Sequence, residues 1–253
     1  MMFEPGQFPD MIGLGPEAVV WHLGFTKPPG GEIGSPNHVL NDHTYCCQLG
    51  ASVCAATGEP SAADADKCLD LHEKRIGTRD EDAKRLGIPL IMSEFGACMD
   101  SNECVTEVTQ VTDVADKHLA SWAYWEFKTY KDLTTSAGTR SEGFYNFDGK
   151  LQTGKVKALS RSYIKAAQGT TKSMNFDTTT GEFEAIVQLD LSIEKPTLIH
   201  AHQDSTVDYS WYPYGVNVNI ESVDTNAAVN ATTNFVGNEV QVTVHQQDLD
   251  GSR

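Results

Sequence analysis

The stretch that decides the fold reads Ile88-Pro89-Leu90-Ile91-Met92-Ser93-Glu94-Phe95-Gly96. Strands that are buried on both faces read as unbroken apolar runs, so this stretch predicts a central strand of a parallel sheet. A charged residue that closes such a run usually faces a site rather than a core. Glu94 is therefore a candidate catalytic residue, and the alternative is a Glu that caps the next helix or pairs with a lysine.

Around this stretch, from residue 39 to residue 168, short apolar runs alternate with longer helical patterns. This alternation is typical of βα units on a parallel sheet. Strands are predicted at 39–45, 88–96 and 121–127. Helices are predicted at 64–86, 104–119 and 155–167, with Gly87 ending the first helix and a break at Gly77-Thr78 left open.

After residue 170 the pattern changes to alternating polar and apolar residues separated by turn residues. Such stretches predict antiparallel strands, and they lie at 183–191, 196–201, 216–222 and 240–244. Two domains are therefore expected. The first, 1–169, is built from βα units, and the second, 170–253, is an antiparallel β-sandwich of modest size.

The charge of the chain argues against nucleic acid as a partner. The net charge is −16, and the chain has only 19 Lys plus Arg, whereas nucleic-acid binders carry basic faces. The sequence contains no apolar run long enough to span a bilayer, and residues 1–5 show none of the regions of a signal peptide. We expect a chain that either stays in the cytosol or lacks its true start.

All six cysteines lie between residues 46 and 104. Because they form no pair of Cys-x-x-Cys motifs, they are expected to be disulfides or buried thiols rather than zinc ligands. Cys98 and Cys104 flank a short loop that a disulfide could close, which would imply an oxidising compartment. The glycosylation sequon at Asn230 points the same way.

Chemically capable side chains end three successive predicted strands. His43 and Tyr45 end the first, Glu94 ends the second, and Trp125 lies near the end of the third. In a βα barrel these strand ends open onto one face. A histidine and a tyrosine can orient an ionised carboxylate and an indole can stack on a sugar ring, so the pattern predicts carbohydrate chemistry. Trp122, an odd number of residues from Trp125, is expected to pack on the opposite face.

Each of these residues also has a structural interpretation. Taken alone, His43 would more often be a satisfied core or surface histidine, and Tyr45 would more often be a core aromatic. Their joint placement before the Glu94 strand favours a site.

Five segments resemble glycoside hydrolase family 5 and, within it, the endoglycoceramidase-like enzymes. They are Asp42-His43-Thr44-Tyr45-Cys46 and the segments 90–97, 121–125, 143–149 and 155–163. The resemblance extends over nearly the whole chain and is least clear in the first 40 residues. It implies a TIM (β/α)8 barrel followed by a β-sandwich.

The resemblance also implies roles for the candidate residues. Glu94 would be the nucleophile on strand seven, with His43 and Tyr45 beside it on strand six. Trp125 would be the platform under the sugar on strand eight. Members of this family are retaining β-glycosidases, which need two carboxyl groups about 5 Å apart and, for a double displacement, no metal or organic cofactor.

The sequence departs from the family at the second carboxyl group. The family's acid/base is the Glu of an Asn-Glu-Pro motif that ends strand four, and the sequence has no such motif. Phe3-Glu4-Pro5 is similar, but the interval from Glu4 to His43 is too short for two helices and strand five. Residues 1–4 are therefore expected to end strand five, followed by a long loop, 6–36, with a short helix around 16–23. Glu4 as acid/base is the weaker alternative.

On this interpretation the chain is the C-terminal half of a barrel, strands five to eight, and is inactive alone. Three functions are compatible with the resemblance. The first is cleavage between the sugar and the ceramide of glycosphingolipids, and the second is a β-glucosidase acting on glucosylceramide or a steryl glucoside. The third is non-catalytic glycolipid binding. The implied partners are a glycosphingolipid and, transiently, a membrane or micelle surface, in an extracellular or lysosomal location.

Overall fold

A computed structural model describes residues 1–5, 21–46, 60–128, 130, 136–137, 140–224 and 229–245. The chain divides into two compact units, Met1–Leu159 and Ser160–Arg253. This boundary lies before the predicted one at residue 169, because the helix predicted at 155–167 ends at Leu159. Tyr163–Ala166 instead forms a strand in a sheet of the second unit, where tertiary pairing overrides local helix propensity.

The first unit is built on a four-stranded parallel sheet in the order β1-β2-β3-β4. Its strands are β1 (Met2–Phe3), β2 (Val39–Thr44), β3 (Leu90–Phe95) and β4 (Ser121–Trp122). The unit also contains α1 (Ala65–Leu86), α2 (Asn102–Lys117), α3 (Thr153–Leu159), a 3-10 turn at Ala62–Asp64, and the short paired strands β5 (Ser136–Ala137) and β6 (Arg140–Ser141). The predicted alternation of strands and helices is confirmed, and closure into a barrel stays a prediction.

Helix boundaries follow local sequence signals. α1 continues through Gly77 without a break and ends at Gly87, whose φ of 65° is left-handed and favours glycine. A Cβ at Gly87 would also meet the Gly34 backbone nitrogen at 2.8 Å. α2 begins slightly before the predicted residue 104, because Ser101 caps it by accepting a hydrogen bond from the Cys104 N–H over 3.0 Å.

β4 is shorter than the strand predicted at 121–127. The chain leaves the regular ladder after Trp122 and returns at one point, where Trp125 bridges Gly96 in the parallel direction. Backbone hydrogen bonds still join the Trp125 N–H to the Phe95 carbonyl and the Ala97 N–H to the Trp125 carbonyl, each over 3.0 Å. The indole therefore sits on a segment that is fixed to the end of β3.

The strands and helices of this unit share one apolar core. Leu40, Met92 and Phe95 contribute fully buried side chains from the sheet, and Ile76 and Val111 contribute them from α1 and α2. Each such side chain stabilises the fold by about 1.5–3 kcal/mol on burial.

A polar layer lies between β2 and α1. Asp42, which points to the same side of β2 as Leu40, accepts a hydrogen bond from Arg79 Nε over 2.6 Å and lies 3.3 Å from Arg75 Nη1. Arg79 also reaches Asp82 at 3.0 Å, and these charged groups are buried. Since side chains alternate along a strand, the next residue, His43, points to the opposite side of the sheet.

The second unit consists of antiparallel strands. It contains β7 (Tyr163–Ala166), β8 (Gly169–Phe176), β9 (Phe183–Leu189), β10 (Thr197–His200), β11 (Ala231–Val236) and β12 (Glu239–Val244). One sheet has the order β11-β12-β10-β7, and β8 pairs with β9. The strand predicted at 216–222 is wrong, since 216–220 are irregular. The sandwich arrangement stays a prediction.

Some sequence predictions fall outside the described residues. Most of the short helix predicted around 16–23 lies there, and 21–23 are not helical. Cys47 and Cys54 lie there as well. Among the helices that are described, none is both long and apolar enough to cross a lipid bilayer.

Candidate active site

Glu94 and His43 lie side by side on neighbouring parallel strands. β2 and β3 pair Asp42 with Met92, and the register then shifts so that His43 pairs with Glu94. Ser93 is therefore the extra residue of a bulge, and bulges re-aim the side chains that follow them. This shift brings two predicted site residues level with each other.

Tyr45 follows β2 and contacts the same carboxylate. Its hydroxyl donates a hydrogen bond to Glu94 Oε2 over 3.0 Å. Burial, and then the negative charge of Glu94, raise the pKa of Tyr45 well above its usual value. The hydroxyl thus keeps its proton and remains a donor, which orients the Glu94 carboxylate.

The His43 imidazole lies between two carboxylates. Its Nδ1 is 3.5 Å from Glu94 Oε2, and its Nε2 is 3.3 Å from Glu4 Oε2. Glu4 directly follows β1, which pairs in parallel with β2. Side chains from the ends of three adjacent strands therefore meet at one end of the sheet.

The position of the imidazole bears on the acid/base alternative for Glu4. A retaining pair needs its two carboxyl groups on either side of the scissile bond. Between Glu4 and Glu94 stands the His43 ring, in contact with both carboxylates. We therefore assign no acid/base role to Glu4.

The two tryptophans near β4 differ in environment. Trp122 is partly buried and packs against the apolar core, with its ring centroid 5.7 Å from that of Phe95 in an edge-to-face arrangement. Trp125 remains 39% exposed. Its backbone is hydrogen-bonded to Phe95 and Ala97, the residues that flank Gly96, so residue 125 lies beside the end of β3. Of these two tryptophans, Trp125 is the more exposed.

Buried groups behind the sheet hold the segment that carries Tyr45. Cys46 forms a disulfide with Cys68 of α1, and its N–H donates to Glu107 Oε1 over 3.2 Å. The same oxygen lies 3.0 Å from His72 Nε2, and both side chains are buried. These contacts fix the backbone on the C-terminal side of Tyr45.

A second disulfide and a buried lysine hold the loop after β3. Cys98 and Cys104 are bonded, which confirms the predicted pairing. Lys155 of α3 is buried and donates from Nζ to the carbonyls of Cys98, Glu142 and Gly143, over 2.7, 3.1 and 3.1 Å. One ammonium group therefore ties three carbonyls of two loops together beneath the site.

A cavity of about 310 Å³ lies beside Tyr45. Its other lining residues are Cys46, Pro60, Gly96, Ala97, Glu107 and Glu142. The ligand atoms of Cys46, Cys68 and Glu107 lie within 4.8 Å of one another, as in a metal site. The two sulfur atoms are bonded to each other, however, so this cluster provides no thiolate for a metal.

Sequence reasoning missed part of the site. The sequence indicates Glu4 only as a strand end and an acid/base alternative, and it does not single out Asn41, whose Nδ2 donates to Glu4 Oε2. The sequence did carry one signal, because Asn41 and His43 are two residues apart and side chains at that spacing share a face of a strand. That Glu4 contacts both side chains depends on the pairing of β1 with β2, which the sequence does not show.

Comparison with known proteins identifies relatives of this chain. Residues 24–131 match the family described as Cellulase (glycosyl hydrolase family 5). An endoglycoceramidase from Cyanea nozakii is 26% identical over 172 residues, which cover 66% of this chain and 30% of that protein.

Solved structures share the fold. Endo-glycoceramidase II from Rhodococcus sp., in a complex with ganglioside GM3, gives a TM-score of 0.59 at 19% identity and matches 96% of this chain and 46% of that one. Sterylglucosidase 1 from Cryptococcus neoformans gives a TM-score of 0.56 at 10% identity, over 82% of this chain and 36% of that one. The chain thus spans less than half the length of each of these relatives.

Proposed function

We propose that this chain, of which residues 24–131 match glycosyl hydrolase family 5, is the nucleophile-bearing part of a retaining β-glycosidase that cleaves glycosphingolipids between sugar and ceramide. Glu94 is the nucleophile in this proposal. His43 and Tyr45 orient its carboxylate, and Trp125 provides the face on which the sugar stacks.

The hydrogen bond from Tyr45 to Glu94 is the observation that carries the proposal. Both the Tyr45 hydroxyl and the His43 imidazole approach Oε2 of Glu94, at 3.0 and 3.5 Å. We therefore assign attack on the anomeric carbon to the other oxygen, Oε1. As the glycosyl–enzyme bond forms, the leaving oxygen takes a proton from the acid/base, and water later releases the sugar with the configuration retained.

The four parallel strands of the first unit are, in this proposal, strands five to eight of a TIM barrel, and the second unit is the β-sandwich that follows it. The order β1-β2-β3-β4 supports this assignment, because barrel strands are parallel and consecutive. The sequence contains no Asn-Glu-Pro. The acid/base is therefore proposed to come from another segment of the glycosidase, and this chain is proposed to be inactive alone.

The proposed substrate is a glycolipid, which implies work at a membrane or micelle surface. The match to an endoglycoceramidase supports this substrate class. The two disulfides among the described residues, Cys46–Cys68 and Cys98–Cys104, support an extracellular or lysosomal location, because such bonds persist in oxidising compartments.

Turnover of a fluorescent lactosylceramide tests the proposal. The chain as it stands is compared with a version whose reading frame is extended upstream through an Asn-Glu-Pro strand, and with Glu94→Gln in that version. We expect hydrolysis by the extended protein alone and a loss of at least about 1,000-fold in Glu94→Gln, since the nucleophile is removed. Proton NMR should show the sugar released first as the β-anomer.

Three outcomes would overturn parts of this proposal. Full activity in the Glu94→Gln variant would remove Glu94 as nucleophile. Hydrolysis of a steryl glucoside or glucosylceramide but not of lactosylceramide would favour the β-glucosidase alternative. Binding of lactosylceramide without hydrolysis by the extended protein would favour a glycolipid-binding protein.

A further inference from the structure

The Glu4 carboxylate contacts the candidate site through His43 rather than directly. Its Oε2 lies 3.3 Å from His43 Nε2 and accepts a hydrogen bond from Asn41 Nδ2 over 2.5 Å. Asn41 is buried, so its amide is a fixed donor that holds the Glu4 oxygen in place. Asn41 and His43 reach Glu4 from the same face of β2.

The two carboxylates around His43 differ in exposure and distance. The Glu4 side chain is 44% exposed, and its Oε2 lies 3.3 Å from His43 Nε2. The Glu94 side chain is 31% exposed, and its Oε2 lies farther from the ring, 3.5 Å from His43 Nδ1. The imidazole itself is 15% exposed. Glu4 thus holds the outer nitrogen of a largely buried ring whose inner nitrogen faces the nucleophile.

We propose that Glu4 is a positioning residue that fixes the orientation and tautomer of His43 beside Glu94. The inference rests on the proposed role of Glu94. When both ring nitrogens carry hydrogen, the His43 ring pairs with the carboxylates of Glu4 and Glu94 at once, at 3.3 and 3.5 Å. When one hydrogen is lost, the closer carboxylate, Glu4 at 3.3 Å, favours the remaining one on Nε2, because the partner of one ring nitrogen sets the state of the other.

In this arrangement Glu4 supports the reaction without contacting the substrate. Once Glu94 becomes esterified in the glycosyl–enzyme, it no longer offers His43 a full negative charge. Glu4 takes no part in that ester and keeps its contact with the ring, so that His43 is still aligned when water attacks.

Nitrogen NMR of the histidine rings tests the inference in the chain as it stands, without turnover. Ring ¹⁵N shifts of His43, assigned by loss of its signals in His43→Gln, are compared in wild type, Glu4→Ala and Glu4→Gln from about pH 5 to about pH 9, where imidazoles change charge. We expect the Nε2–H form in the neutral ring of wild type. Glu4→Ala should give a mixture of tautomers, and Glu4→Gln, which keeps the shape and an acceptor oxygen, should give an intermediate pattern.

Matched controls separate this effect from a general structural change. Glu32→Ala removes another exposed carboxylate of the same unit, one paired with Lys27 at 2.6 Å, and should leave the His43 shifts unchanged. His38, which lies 2.7 Å from Ser35 Oγ, should keep its own ring shifts in every variant.

The outcomes also distinguish this inference from the proposed function. Identical His43 shifts in Glu4→Ala, Glu4→Gln and wild type would overturn the role of Glu4, whatever the activity of Glu94. A different result is that His43 ring shifts respond to Glu4 substitution while the extended protein keeps full activity in Glu94→Gln. That result would overturn the proposed function and leave the role of Glu4 toward His43 intact.

Discussion

Arg79 Nε donates a hydrogen bond to Asp42 Oδ2 over 2.6 Å, directly behind the histidine of the candidate site. The other oxygen of Asp42 accepts the His43 backbone N–H over 2.8 Å. The buried ion cluster on the helix side of β2 therefore fixes the peptide unit that presents His43 on the opposite side. Asp42 therefore contributes both to the stability of the first unit and to the position of His43.

Asp42→Asn should destabilise the first unit by about 3–5 kcal/mol, because it removes the buried negative charge that the guanidinium groups of Arg75 and Arg79 share. Urea unfolding of the chain, followed by tryptophan fluorescence, measures this loss. Asp70→Asn removes an exposed carboxylate from α1 and should change the free energy of unfolding by less than about 0.5 kcal/mol. A loss below about 1 kcal/mol in Asp42→Asn would show that the cluster is not what holds β2 to α1.

Tyr45→Phe should lower kcat of the extended enzyme by about 10- to 100-fold, the equivalent of a hydrogen bond to a charged group, about 1.5–3 kcal/mol. The reason is that the phenyl ring keeps the packing but no longer donates to Glu94 Oε2. Steady-state hydrolysis of lactosylceramide measures the effect. Tyr214→Phe is the matched control, since Tyr214 is 97% exposed. Equal kcat values for Tyr45→Phe and wild type would remove Tyr45 from the site.

The order of the strands and their end residues could be predicted from the sequence. The apolar runs at 39–45 and 88–96 predict strands, and the structure has strands at Val39–Thr44 and Leu90–Phe95. Buried parallel strands have this strong local signal because both of their faces are apolar. The alternation of side chains along a strand predicts that Trp122 and Trp125 face opposite sides, and the position of Trp125 nearer the strand end favours it for the site. In the structure Trp122 packs on the core and Trp125 is 39% exposed, although β4 ends at Trp122.

The contacts that complete the site depend on tertiary structure and could not be predicted. The bulge at Ser93 is a property of the pairing of two strands and leaves no clear mark in one strand's sequence. The contact between Glu4 and His43 joins residues far apart in sequence. Tyr163–Ala166 was wrongly predicted as helix because its strand pairing with Thr197–His200 is also non-local.

The two tryptophans should separate binding from stability. Trp122→Ala removes the ring that packs on Phe95 and should destabilise the first unit by about 2–4 kcal/mol, whereas Trp125→Ala should change its stability by less than about 1 kcal/mol. Trp125→Ala should instead raise KM for lactosylceramide in the extended enzyme by about 10-fold, since a stacking face is lost. Thermal unfolding and steady-state kinetics measure the two effects. The reverse pattern would exchange the roles of the two residues.

Alkaline pH should destabilise the first unit through its buried tyrosines. Burial and then Glu94 raise the pKa of Tyr45 above its usual 10.0, and burial and then Glu142 raise the pKa of Tyr124 in the same direction. Above about pH 10 the unfolded chain loses these protons while the folded chain keeps them. The free energy of unfolding should therefore fall as pH rises, by about 1.4 kcal/mol per pH unit for each tyrosine.

Urea unfolding between about pH 9 and about pH 11 measures this slope in wild type and in two variants. Tyr45→Phe should reduce the slope by the contribution of one proton, because phenylalanine has none to lose in either state. Tyr214→Phe is the matched control, since this phenol is 97% exposed, and it should leave the slope unchanged. A slope that is the same in Tyr45→Phe and wild type would mean that Tyr45 ionises in the folded protein and is not held as a donor to Glu94.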